Sequence, residues 1–141
     1  MKTVNVCPSS LSEGFCTYSP AALRTLSDGK PVSHIFPMDS PHSDKPAAKK
    51  VFETVGRISL SGVQTKLGVM IENGHFRFAA AGERSSFMLK PHPTSPWLYA
   101  KEDCPANENL TMQIAWQVYG IETAANALCF FTDDECAYIT R

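Results

Sequence analysis

The dipeptide Asn73-Gly74 constrains this chain more than any other feature. Both central residues of a type I′ turn need positive φ, which asparagine tolerates and glycine adopts freely, so Asn-Gly between two apolar runs is the strongest short-range hairpin signal. Both runs are present. Lys66-Leu67-Gly68-Val69-Met70-Ile71-Glu72 leads in, and His75-Phe76-Arg77-Phe78-Ala79 leads out with its aromatics alternating as one face of a strand requires. A chain with this turn at its middle is committed to antiparallel pairing.

The flanks extend the pattern. Ile58-Ser59-Leu60 reads as a strand entering Ser61-Gly62-Val63-Gln64, where the glycine marks a tight bend. Ser86-Phe87-Met88-Leu89-Lys90 reads as a further strand ended by Pro91, and a proline-broken loop then runs to Cys104. Pro105 opens a helix reaching about Tyr119, in keeping with the preference for proline in a first turn. Leu110, Ile114 and Val118 recur at helical spacing, Ala115 and Tyr119 widen the stripe, and Gly120 stands where a left-handed cap belongs, which predicts a helix with one buried face. Residues 127–131 and 136–140 flank the acidic turn Thr132-Asp133-Asp134-Glu135 and read as a final antiparallel pair, with Asp133 and Asp134 as turn residues rather than metal ligands. The order predicts an α+β fold: an antiparallel β-sheet with one main packed helix.

Residues 1–50 read as a loop-rich N-terminal extension, broken by Pro8, Pro20, Pro31, Pro37, Pro41 and Pro46. One short helix is expected in it, capped by Ser19, opened by Pro20 and stopped at Asp28-Gly29. Asp44 to Lys50 reads as a polar link, so the expected division is 1–50 and 51–141. With 141 residues, 43% of them hydrophobic and 19% charged, the chain can bury one core. A formal net charge of -1 supplies no basic excess, and no direct nucleic-acid partner is expected. Met1 to Ser10 lack the apolar core of a signal peptide and no apolar run is long enough for a bilayer, so the expected location is cytoplasmic, without a membrane partner. Five cysteines at irregular spacing imply free thiols, and the four histidines share no ligand spacing, so no metal site is expected.

Three groups offer chemistry. Ser59 to Lys66 has a glycine that would let backbone amides approach a phosphate, although it lacks both the two-glycine Walker pattern and the three-glycine kinase loop; on its own it reads better as a bend between strands. Lys90 ends an apolar strand, the setting of the kinase lysine that reaches ATP phosphates, and equally that of a solvated strand-end lysine. Glu108, early in the main helix, is placed either to pair with Lys90 or simply to favour the positive end of the helix dipole. No serine, histidine and acid grouping supports a hydrolase triad.

Taken in order, Ile58 to Leu67, then Phe87-Met88-Leu89-Lys90-Pro91, Ala106-Asn107-Glu108-Asn109 and Tyr119-Gly120-Ile121 resemble the ordered segments of the HipA-like serine/threonine kinases, bacterial toxins of toxin-antitoxin systems. The resemblance covers about residues 54–141 and is to the N-terminal lobe; Thr17-Tyr18-Ser19-Pro20 and Leu23 look like the short N-terminal extension of some members. It implies that Ser61, Gly62, Val63 and Gln64 form the phosphate loop, that Lys90 contacts ATP, that Glu108 is its partner, and that Ser59 and Ser61 are autophosphorylation sites. Arg141 would begin the hinge between lobes. The catalytic and metal-binding aspartates belong to a C-terminal lobe outside these residues, so the chain is expected to be a truncated lobe with no catalytic residue of its own. It should bind ATP and Mg2+ tightly only in an intact member. Expected partners are that lobe, an antitoxin or a second copy of the chain through exposed lobe surface, and family targets include aminoacyl-tRNA synthetases. The alternative is a stand-alone, non-catalytic module docking on a kinase or antitoxin.

Overall fold

The computed structural model describes residues 1–55 and 64–141. It is an α+β fold, and among the described residues five strands form one antiparallel sheet. They are β1 (Leu67–Glu72), β2 (His75–Phe78), β3 (Phe87–Pro91), β4 (Asn126–Phe130) and β5 (Cys136–Thr140), in spatial order β2-β1-β3-β5-β4. The hairpin at Asn73-Gly74 forms with φ of 50° and 75°, as the turn chemistry demands, and sets the register Glu72↔His75 and Ile71↔Phe76. The expected strand and bend over 58–63 lie outside the described residues.

Alternation sorts the sheet into two unlike faces. Leu67 and Val69, Phe76, Phe87 and Leu89, Ala127 and Cys129, Ala137 and Ile139 all turn to one side and form a single apolar cluster. Residues 1–50 cover that side. Cys7, Tyr18, Ala22, Leu26, Val32 and Phe36 belong to the same cluster, with Tyr18 packed edge-on to Phe76 and Phe36 against the rings of Phe78 and Phe131. The same segment shields the β4 edge: Leu128 N–H donates to Pro8 O, Phe130 N–H to His34 O, and Phe36 N–H to Phe130 O.

Helix α1 (Pro20–Ser27) follows its sequence signals, with Ser19 Oγ accepting from Ala22 N–H and a left-handed Asp28 at its end. The polar link expected at 44–50 is corrected: α2 spans Pro46–Thr54, because Pro46 suits a first turn, the alanines favour helix, and Phe52 packs on Phe78. The expected division at 50/51 falls inside α2.

Helix α3 (Cys104–Gln117), entered by a 3-10 turn (Lys101–Asp103), starts and ends near its expected bounds, and Gly120 closes it at φ 64°. The buried face does not match expectation. Leu110, Ile114, Val118 and Tyr119 are 42 to 72% exposed, whereas Pro105 and Asn109 are buried. The physical reason lies in the sheet: its apolar face is already taken by residues 1–50, so α3 meets the other face, where polar side chains receive it. Asn109 Nδ2 donates to Asn126 Oδ1 at 3.0 Å and to Ser9 O at 3.3 Å, and Gln113 Nε2 donates to Asn126 Oδ1 at 3.1 Å.

All five cysteines are free, as their irregular spacing implied. Burial pushes the Cys129 thiol well above its usual range and that of Cys136 up to about 12. Burial also acts to raise Cys7, but hydrogen bonds with Ser10 and Ser19 outweigh it and lower that thiol. Thiolates are the reactive form, so iodoacetamide at pH 8 should modify exposed Cys16 first and reach Cys129 and Cys136 only after denaturation. Peptide mass spectrometry checks this; equal rates at Cys16 and Cys129 in the folded chain would contradict the packing.

Candidate functional site

The face of the sheet opposite the core gathers the groups that carry chemistry. In β3, Phe87 and Leu89 point into the core, so alternation sends Lys90 to the opposite face, where α3 lies. Glu108 stands one turn into α3 and reaches back: Lys90 Nζ donates to Glu108 Oε2 at 2.7 Å. The side chains are 22 and 28% exposed, a position between solvent and core. Tyr138, opposite Lys90 in the β3–β5 register, presents its ring 5.3 Å from the ammonium. Burial raises the Tyr138 hydroxyl, hydrogen bonding with Thr140 opposes the rise, and the nearby Glu108 charge adds to it. The lysine is thus fixed by a carboxylate and an aromatic face rather than left to swing in water.

Gln64 Nε2 donates to Pro91 O at 2.9 Å, tying the chain that emerges from residues 56–63 to the end of β3 beside Lys90. A cavity of about 340 Å³ opens there, lined by Gln64, Pro93, Cys104, Asn107, Glu108 and Met112. Of the sequence-derived site residues, Glu108 therefore pairs with Lys90 and shares the cavity lining with Gln64. Ser59, Ser61, Gly62 and Val63 lie outside the described residues. Arg141 is exposed past β5, with its N–H on Ala125 O at 3.0 Å and its guanidinium 5.6 Å from the Phe87 ring; its recorded contacts are separate from the Lys90 pair.

A larger concavity, of about 380 Å³, lies between residues 9–12, α1 and the end of α3. Its one ionisable lining residue among those described is Glu122, so it offers no cation to an anionic ligand. The smaller cavity reaches a cation only through its wall, where Glu108 lines it and is the one acceptor of the Lys90 ammonium among the described residues. Magnesium is less well served. Glu108 is engaged by Lys90, Asp133 Oδ2 accepts from Ser40 N–H, and Asp134 faces the N-terminal ammonium at 3.4 Å, so the described residues offer it no convergent carboxylate set at the Glu108 cavity.

Sequence reasoning missed Tyr138 as the aromatic support of Lys90; its signal would have been the β3–β5 register, which spacing alone does not supply. It also missed Asn126, whose amide receives α3. The histidines, scattered in sequence, are partly gathered in space: His42 and His92 stack at 3.9 Å beside Glu135. Comparison of the chain with protein-family models and with curated protein sequences finds no match.

Proposed function

We infer that this chain is the nucleotide-contacting N-terminal lobe of a HipA-like serine/threonine protein kinase. The observation that carries the reading is the 2.7 Å ion pair between Lys90, at the end of a sheet strand, and Glu108, on the helix that follows it. Protein kinases use this strand-lysine and helix-glutamate pair to hold the lysine against the α- and β-phosphates of ATP. The antiparallel sheet, Gln64 in the lining of the cavity beside Glu108, and the resemblance of residues 54–141 support the same reading. In it, backbone amides of the loop at Ser61, Gly62, Val63 and Gln64 complement Lys90 at the phosphates. Phosphorylation of Ser59 or Ser61 would place close to two negative charges where ATP needs positive ones.

Phosphoryl transfer needs metal ions and a residue to orient the nucleophile, which this reading assigns to a second lobe. The chain by itself is therefore expected to contact ATP weakly and to phosphorylate no protein. The aminoacyl-tRNA synthetase target class and an antitoxin partner rest on the resemblance. A second reading, a non-catalytic module docking on a kinase or antitoxin, draws on the exposed row Leu110, Ile114 and Val118 and on Trp97 and Tyr99, which are 91 and 99% exposed.

An acyl-phosphate derivative of ATP, which acylates lysines beside its phosphates, separates the two. The nucleotide reading expects Lys90 to be labelled ahead of Lys66 and Lys101, and millimolar ATP to suppress that labelling. Equal labelling of all three lysines, unaffected by ATP, would remove it and leave the docking module.

A further inference from the structure

Three side chains far apart in sequence converge at the end of the sheet, beyond the Lys90 pair. His42 lies in the segment before α2, His92 just after β3, and Glu135 just before β5. Their nitrogen and carboxylate ligand atoms all lie within 4.8 Å of one another. The rings of His42 and His92 stack at 3.9 Å with planes 20° apart, and both turn a nitrogen toward the same carboxylate oxygen: His42 Nδ1 at 2.7 Å and His92 Nε2 at 3.4 Å from Glu135 Oε2.

The hydrogen bonding around the cluster fixes what it can hold. His92 Nδ1 lies 3.0 Å from Pro93 O, and since a carbonyl only accepts, Nδ1 carries the proton. In the neutral ring Nε2 then bears a lone pair, aimed at a carboxylate oxygen. Two electron-rich atoms facing each other this closely are bridged by a proton or by a metal ion. An outer backbone acceptor on the far nitrogen is also the usual way a metal-binding histidine is oriented. Zn–N and Zn–O bonds of about 2.0–2.2 Å place the ligands of a tetrahedral ion about 3.3 Å apart, close to the His92–Glu135 separation. Each imidazole holds a metal in its own ring plane, so on metal binding His42 turns out of the stack and its Nδ1 exchanges the hydrogen bond to Glu135 for a coordinate bond.

The frame is held independently of any ion. Thr132 Oγ1 donates to Asp39 Oδ1 at 2.6 Å, Ser40 N–H to Asp133 Oδ2 at 3.0 Å, and Thr132 N–H to Met38 O at 2.9 Å, so the segment carrying His42 is already docked on the turn carrying Glu135. The side chains are only 11 to 30% exposed.

We propose that His42, His92 and Glu135 form a zinc-type divalent metal site that clamps the 39–45 segment to the end of the sheet. Two imidazoles and one carboxylate suit zinc and its neighbours over magnesium or calcium, which prefer all-oxygen sets, and water completes the fourth position. The site is separate in residues and in chemistry from the Lys90–Glu108 pair, so it stands whether or not the kinase reading does.

The test is zinc titration of the chelator-stripped 141-residue chain by calorimetry, with thermal melting in parallel. One saturable equivalent is expected, and zinc at 100 times its Kd should raise the melting temperature by about 9 °C for a domain of this length. Glu135→Gln and His92→Asn should each weaken binding at least tenfold and erase the melting shift, while Cys16→Ser and His75→Asn leave both unchanged. Metal-free melting of each variant reports whether it folds, and Glu135→Gln preserves side-chain shape. No saturable binding by the unmodified chain would leave only a hydrogen-bonded cluster and overturn the assignment, as would full-strength binding in both Glu135→Gln and His92→Asn.

Discussion

Phe36→Ala is expected to lower the free energy of unfolding by about 3–5 kcal/mol, the range for emptying a well-packed phenylalanine site. Phe36 is 1% exposed, its ring centroid 4.7 Å from that of Phe78 and 5.4 Å from that of Phe131. Phe52 of α2 packs on the same two rings, so the void cannot be filled without moving an aromatic that other elements hold. At about 2.1 cal/mol/K per residue, the loss corresponds to a fall in melting temperature of about 10–17 °C. The measurement is denaturant unfolding followed by far-UV circular dichroism and by tryptophan fluorescence. A loss below about 1 kcal/mol, or two separated transitions, would mean that residues 1–50 ride on the sheet without belonging to its core.

Lys90→Met and Glu108→Gln should act on function and hardly on stability. A partly exposed ion pair contributes about 1 kcal/mol or less, so each variant should melt within a few degrees of the parent chain. Under the proposed kinase reading, in a two-lobed protein that includes this chain, each should lower phosphoryl transfer about 100-fold or more, because removing one preorganised electrostatic group from a developing charge costs that much. Glu108→Gln is the more telling variant, since it leaves the lysine in place and removes the charge that holds it. Single-turnover transfer of labelled phosphate reads the effect. Transfer within threefold of the parent for both variants would end the nucleotide role of the pair.

How much of this was legible in the sequence depends on the range of the interaction concerned. Asn73-Gly74, Ser19-Pro20, Pro105 and Gly120 act on their own neighbours through φ preference and capping, and each is found where its chemistry places it. The face of α3 was misjudged because periodicity reports that an apolar stripe exists without reporting what is free to receive it. Leu110 and Ile114 had no sheet face to join once Tyr18, Leu26 and Phe36 occupied the apolar one. Helix α2 was hidden by Lys45, Lys49 and Lys50, whose charges read as a link although lysine is a fair helix former. Lys90 and Glu108 were nameable as candidates, but a pairing across 18 residues depends on where β3 and α3 end up in space. His42, His92 and Glu135 left no local trace at all, since their meeting is made by the β3–β5 pairing and by the docking of residues 38–40 on the turn before β5.

The manner in which α3 is attached has a mechanical consequence. A helix seated by interlocking aliphatic side chains can creep by fractions of an ångström and keep most of its contact. The recorded polar contacts of α3 with the sheet are an ion pair and an amide cluster, Lys90–Glu108 and Asn109–Gln113–Asn126, whose strengths fall off sharply with angle and distance. A helix so held would loosen in steps, as each of these contacts breaks, rather than by gradual sliding. Its outward row, Leu110 and Ile114, sits on the same rigid rod as Glu108. A surface docked on that row would therefore bear on the Lys90–Glu108 pair through the helix itself.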